Sequence, residues 1–327
     1  MILDITRHKF AEGLATLLLF ALLAAVAAAT LFSAPADIIT GGGAPLMDGI
    51  IAFRDLHPAI SAVALALMYV YAVLRLSRAT VRVDLYPQGT MASIALAAVS
   101  LFGVVASEDY MSLIVVAILA AEAFGRLLYC FGPSSRAHYL FSSMVALGAM
   151  PLVDSSLTLL AVVLPVIVIV VRATLRETVV TLLGIALPTL LYCYVVWYNG
   201  GDFGDAFLAV WDRYQLSAHM TLAAYLDIPR LVYLAVVLFL QLATILIYIT
   251  SPLASNRTMR DSWRVLILAA LVVGASLFVL PAASPALVLV NVMIASVMFP
   301  LLFQRASSFA SVFLYLLLIA TSLVAVL

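Results

Sequence analysis

Charge is scarce in this 327-residue chain: 10% of its residues are Asp, Glu, Lys or Arg, lysine occurs once, cysteine twice and histidine four times. Each shortage excludes something. So few charges beside 66% hydrophobic residues leave no segment with the composition of a water-covered domain. Cys130 and Cys193 both lie inside apolar runs, so they form no disulfide or zinc pattern and read as small apolar fillers. His8, His57, His138 and His219 are scattered, no glycine-rich phosphate loop occurs, and the formal net charge is zero, so metal-hydrolase and nucleic-acid roles find no support. No convincing internal repeat is present either, which removes positive support for an inverted-repeat transporter.

What the chain has is apolar runs of membrane-spanning length. A hydrocarbon core about 30 Å thick needs about 20 helical residues at about 1.5 Å each. Eleven such runs fall near 14-32, 58-77, 90-106, 111-131, 138-152, 156-171, 178-198, 229-249, 264-280, 285-303 and 306-327. The expected fold is all-α: one integral membrane domain over 1-327, a polytopic transmembrane helix bundle of about eleven helices, with outer loops at 33-57 and 199-228. With the N-terminus in the cytoplasm, thirteen of the 16 basic residues fall on or near the inner side and only Arg54, Arg213 and Arg230 on the outer side. That asymmetry follows the positive-inside rule and sets the orientation, with the C-terminus outside. The start resembles a signal peptide, but Leu14 to Phe32 is 19 residues long, so it reads as a retained first helix. The sequon Asn256-Arg257-Thr258 falls in a cytoplasmic loop and carries no weight.

Ten acids take the opposite side: Asp37, Asp48, Asp55, Glu108, Asp109, Asp154, Asp202, Asp205, Asp212 and Asp227. They either solvate the outer loops or build an outward-facing site for a cation, a metal or a sugar. From Leu46 to Leu56 the first outer loop turns amphipathic, with Leu46, Ile50 and Phe53 on one helical face and Asp48 and Asp55 on the other. Arg54 and His57 follow, and Pro58 opens the next helix. In the second outer loop Phe203, Phe207, Trp211 and Tyr214 recur at helical spacing over 202-219. Both segments read as interfacial amphipathic helices on the outer side. The stripe is either an aromatic belt at headgroup level or the lining of a cleft for a lipid-linked sugar.

Within the membrane, Glu122 and Arg126 stand four residues apart, the order and spacing of an intrahelical ion pair. A charge at that depth costs several kcal/mol unless paired or wet, so the pair either pins neighbouring helices or serves a translocation pathway. No second mid-depth carboxylate completes an ion relay. The segment Pro151 to Ser156 joins two short helices, either a dip able to admit a lipid headgroup or an ordinary packing irregularity, and Pro165 and Pro188 can kink their helices.

Two resemblances add expectations. Ser156 to Asp202, with Arg172-Ala-Thr-Leu-Arg176-Glu177 and Leu183-Gly184-Ile-Ala-Leu-Pro188, resembles an uncharacterised family of bacterial polytopic inner-membrane proteins, which implies an inner-membrane location and no defined activity. In layout the chain is more distantly similar to C-type polyprenyl-phosphate-sugar glycosyltransferases, whose first outer loop bears a catalytic acid. That likeness implies Asp48 as the catalytic acid, with Asp55 and Asp37 as rivals, and a polyprenyl-phosphate-linked substrate. The chain departs from those enzymes in lacking an adjacent acidic pair in the first loop and a large outer domain after the last helix.

The resulting expectation is an outward-facing glycosyl or lipid-phosphate transferase of envelope glycan assembly. Substrate contacts would come from Arg54, His57, Trp211, Arg213 and Arg230, with no cofactor beyond a divalent cation. The alternatives are a non-catalytic membrane subunit of an envelope-assembly complex and a transporter or lipid translocase using Glu122 and Arg126. The bilayer is the one partner common to all three.

Overall fold

The computed structural model describes residue 53 and residues 56–83, 85–86, 92–105, 110–131, 136–172, 174–214, 227–250, 257–279 and 284–325. The expected first helix, and Asp37, Asp48, Arg54 and Asp55 with it, lie outside the described residues. The described residues are helical with no strand. In chain order the α-helices are α1 (Pro58–Arg82), α2 (Ala92–Val105), α3 (Tyr110–Cys130), α4 (Arg136–Ala149), α5 (Thr158–Arg172), α6 (Leu175–Tyr198), α7 (Phe203–Tyr214), α8 (Ile228–Thr250), α9 (Arg257–Val279), α10 (Pro285–Arg305) and α11 (Ser308–Val324). Among the described residues five helices, α3, α6, α8, α9 and α10, are long and apolar enough to cross a membrane. Segments 94–104, 137–152, 155–171 and 309–324 are shorter and equally apolar in character. This is the helical make-up of a membrane protein.

Helices overlie the expected segments from 58 onward, but two of them run well past the apolar stretch that announces them. The second expected span ends at residue 77, whereas α1 continues to Arg82 and takes Arg78 and Arg82 into regular helix. The ninth begins at 264, whereas α9 starts at Arg257. Arginine is a good helix former, and its long stem lets a helix leave an apolar layer without unwinding.

α10 is the axis of the bundle. Every residue from Ala286 to Phe303 is buried, and α2, α3, α8 and α9 pack around it. Such a helix is apolar all round because every face meets protein. α11 closes over α2 and α8, and α5 lies on α9. A second row extends sideways, α1 on α3, α3 on α4, α4 on α6 and α6 on α7.

The α4–α6 contact is backbone against backbone. A Cβ on Gly148 would collide with the carbonyl of Ile185, and one on Gly184 would stand 2.8 Å from Met144 Cβ and 3.0 Å from Phe141 O. Small residues at facing positions allow this approach, which in an apolar medium replaces solvent exclusion as the source of helix pairing. α6 starts with a capping box, Thr174 N–H donating to Glu177 Oε2 at 2.8 Å and Glu177 N–H to Thr174 Oγ1 at 3.4 Å. It stops at Gly200, whose φ of 92° is open to glycine at no steric cost and turns the chain back into α7.

The two ends of the bundle are tied differently. At one end Ser156 Oγ and Ser284 Oγ lie 2.6 Å apart, joining the turn before α5 to the start of α10. At the other, the segment after α1 is tucked inside: Leu85 and Tyr86 are buried, Trp263 Nε1 donates to Leu85 O at 3.0 Å, and Tyr86 Oη donates to Val297 O at 2.5 Å. Tyr248 stacks on Trp263, ring centroids 5.1 Å apart. The expected dip at 151-156 is not open. Met150, Pro151, Leu152, Val153, Ser156 and Leu157 are all buried, because a pair of 3₁₀ turns folds Met150–Leu152 onto α3, α4 and α5 and Ser155–Leu157 under α7 and the start of α10.

Candidate functional site

The polar cluster between α1 and α3 is built on one carboxylate. Glu122 Oε1 accepts from Arg75 Nε at 2.8 Å and from the Tyr71 hydroxyl. Its Oε2 accepts from Arg126 Nε at 2.5 Å and from Arg75 Nη2 at 3.4 Å. The expected Glu122–Arg126 pair is therefore present and incomplete as a description: a second guanidinium and a phenol from a neighbouring helix join it. The reason is helical phase. Tyr71, Arg75, Arg78 and Arg82 repeat at spacings of four, three and four along α1, as Glu122, Arg126 and Tyr129 do at four and three along α3. Each set occupies one side of its helix, and α1 packs on α3.

Gly125 leaves room for this crossing. A Cβ there would stand 3.3 Å from Arg75 Nη1, so the guanidinium lies across the bare backbone of α3. Farther along the seam the Tyr129 ring has Arg75 Cζ 5.4 Å and Arg82 Cζ 5.3 Å from its centroid, two cation–π contacts on one phenol. Tyr139 of α4 packs against Tyr129 at 5.4 Å, and His138 against Tyr139 at 5.8 Å. The seam opens on the perimeter of the bundle, for Leu67, Tyr71 and Leu74 are exposed beside it, as are Arg78 and Arg82.

Charge bookkeeping decides what the cluster can do. Glu122 has all its near lone pairs taken by cationic or phenolic donors, so it is unavailable as a general base or as a shuttling carboxylate. Among the described residues of the seam the cations are in excess: Arg75 and Arg126 share Glu122, and Arg78 and Arg82 follow on the same side of α1. Among the described residues Arg126 donates only from its Nε, and its side chain remains 36% exposed, so both terminal nitrogens are without a described partner. The sequence signal for Arg75 was its phase with Tyr71, obscured by counting it among the basic residues near a loop.

The residues expected at the other end are placed as follows. His57 is exposed at the cap of α1, its ring 5.5 Å from that of Phe53. Trp211 is exposed on α7, Arg230 is half-buried in the first turn of α8, and Arg213 belongs to α7. Their helices pack mainly on different partners, α1 on α3, α7 on α6 and the turn at Ser155–Leu157, α8 on α10. The aromatic stripe of α7 does not line a described cleft. Phe203, Phe207 and Trp211 are exposed, and the face turned to the bundle carries Ala206 and Val210.

Two of the outer acids serve as caps. Asp154 Oδ1 accepts from Ser156 N–H at 2.9 Å and Asp202 Oδ1 from Asp205 N–H at 3.0 Å, satisfying orphan donors at helix starts. Cys130 and Cys193 are both buried. Among the described residues no group of three or more His, Cys, Asp or Glu is placed to hold a metal ion. Compared with known protein families, curated proteins and solved structures, the chain matches none.

Proposed function

We propose that the chain is a multi-pass protein of the bacterial inner membrane, N-terminus cytoplasmic and C-terminus outside, that works on a phosphate-bearing lipid during envelope glycan assembly. The observation that carries this is the segregation of charge between the two ends of an apolar bundle. Arg78, Arg82, Arg260, Arg264 and Arg305 mark the end tied by Trp263 and Leu85, whereas Asp154, Asp202, Asp205, Asp212 and Asp227 mark the end tied by Ser156 and Ser284. A potential of one sign at each bilayer surface orients the protein and sorts its ligands.

The activity assigned is glycosyl or lipid-phosphate transfer on the outer side. Asp48 takes the proton of an acceptor hydroxyl as its oxygen bonds to the transferred group and that group's bond to the lipid phosphate breaks. Arg54, Arg213 or Arg230 holds the departing phosphate, Asp55 and Asp37 stand as rival bases, and in the alternative Asp48 would instead hold a divalent cation that offsets the phosphate charge. The test is complementation of a deletion strain. Asp48→Asn should abolish function with the protein still folded and membrane-inserted, and Asp37→Asn should be milder. Full function of Asp48→Asn would overturn the catalytic assignment.

One observation favours a second reading, the non-catalytic subunit of an assembly complex: the outward stripe of α7 and the exposed apolar flank of α6 offer surface and no described cleft. In the translocase reading Glu122 is the principal residue, and Tyr71, Arg75 and Arg126 all donate to it.

A further inference from the structure

We propose that the inner end of the α1–α3 seam is a binding site for the phosphate of an anionic lipid headgroup, held by Arg82 and Arg126 with Arg78 beside them, the acyl chains lying along the exposed apolar strip of α1. The inference rests on the membrane reading and on the orientation above, and is independent of any catalytic role for Asp48.

Three features of the seam point the same way. First, the charges are graded along it. Glu122 sits twelve residues into α3 and is matched by Arg75 and Arg126, whereas Arg82 is the last residue of α1 and makes no hydrogen bond or ion pair among the described residues. The deep charge is neutralised and the shallow ones are left over, which is the arrangement an anion at headgroup level completes. Second, the free donors are guanidinium nitrogens, whose planar fork suits two oxygens of one phosphate. Tyr129 fixes Arg82 and Arg75 on its ring, at 5.3 and 5.4 Å, so that Arg82 is held at the seam although it is exposed. Third, the seam faces outward from the bundle. Leu74 and Leu67 are exposed about one and three turns deeper on the same strip of α1 as Arg78. A soluble phosphate has no use for that strip, and an acyl chain does.

Full-length protein is reconstituted in phosphatidylcholine nanodiscs and titrated with short-chain phosphatidylglycerol, with affinity read from thermal protection. Arg82→Gln/Arg126→Gln should weaken binding by about a hundredfold or more, beyond the about 25-fold expected when two diffuse surface charges are lost. A control pair on the same end, Arg260→Gln/Arg305→Gln, should lose no more than about fivefold per charge, as diffuse attraction to a surface gives. Arg82→Lys, which keeps the charge and loses the fork, should weaken binding clearly more than Arg305→Gln. Because Arg82 is exposed, the single Arg82→Gln variant folds and reports by itself if the double variant does not.

Equal losses in the seam and control pairs would overturn the site in favour of diffuse charge. Protection by inorganic phosphate equal to that by phosphatidylglycerol would overturn the lipid assignment in favour of a soluble phosphate compound. Neither result depends on the complementation assay with Asp48→Asn.

Discussion

α10 and α6 have similar lengths, 21 and 24 residues, and both pass as membrane spans by apolarity, yet they occupy opposite positions in the molecule. α10 is buried from Ala286 to Phe303; α6 buries Thr181, Gly184, Pro188 and Cys193 and exposes Leu182, Leu183, Leu190, Leu191, Tyr194, Val195, Trp197 and Tyr198. The lesson concerns what each depends on. α10 is held by side chains packed on all sides, so its stability lies in volume and shape. α6 is held along one line, where two glycines bring backbones together, so its attachment lies in the absence of side chains.

The largest effect should come from emptying the axis. Phe299→Ala should cost about 3–5 kcal/mol in a detergent unfolding series, since the cavity forms where no neighbour can collapse. A loss below about 1 kcal/mol would erase the distinction between the two helices. Next comes the polar seam, which lies between them in burial. Glu122→Gln leaves Arg75 and Arg126 without their anion and should cost about 2–3 kcal/mol, the usual penalty being discounted for partial exposure. Arg126→Gln should cost under about 1 kcal/mol, because Arg75 still neutralises Glu122. Equal losses in the two variants would show that Arg75 does not share the carboxylate.

Gly184→Ala should cost about 1–2 kcal/mol by overpacking against Met144 and Phe141. Its signature is local: amide exchange should rise through α6 and stay unchanged in α10. Uniform acceleration would mean that α6 is coupled to the axis more tightly than its contacts with α4 imply. The smallest effects belong to the exposed surface. Leu183→Ala and Trp211→Ala should each change detergent stability by under about 0.5 kcal/mol.

Much of the helix layout was legible because span length is a physical constant of the bilayer, and any long apolar run must satisfy its backbone internally. The rest was not, for identifiable reasons. Apolarity does not distinguish protein from lipid as a neighbour, so α6 and α10 read alike. Cutting helices where charge begins hid the last turn of α1 with Arg78 and Arg82, and counting Arg75 among the loop-side cations hid its partnership with Glu122. Asp154 and Asp202 read as members of an acidic surface, although each begins a helical segment and caps it, a signal available from their positions after Val153 and Gly201. The compact turn at Met150–Leu152 depends on burial against α3, a contact between distant segments that no local pattern encodes.

The position of α10 also has a consequence in time. It is the penultimate helix in the chain, yet α2 and α3, made far earlier, lean on it. At about 5–20 residues per second, the 180 residues between the end of α2 and the start of α10 take roughly 10–40 s to synthesise. For that interval the early helices exist without the partner that completes them, so the growing protein remains an open arc and closes only as α10 arrives.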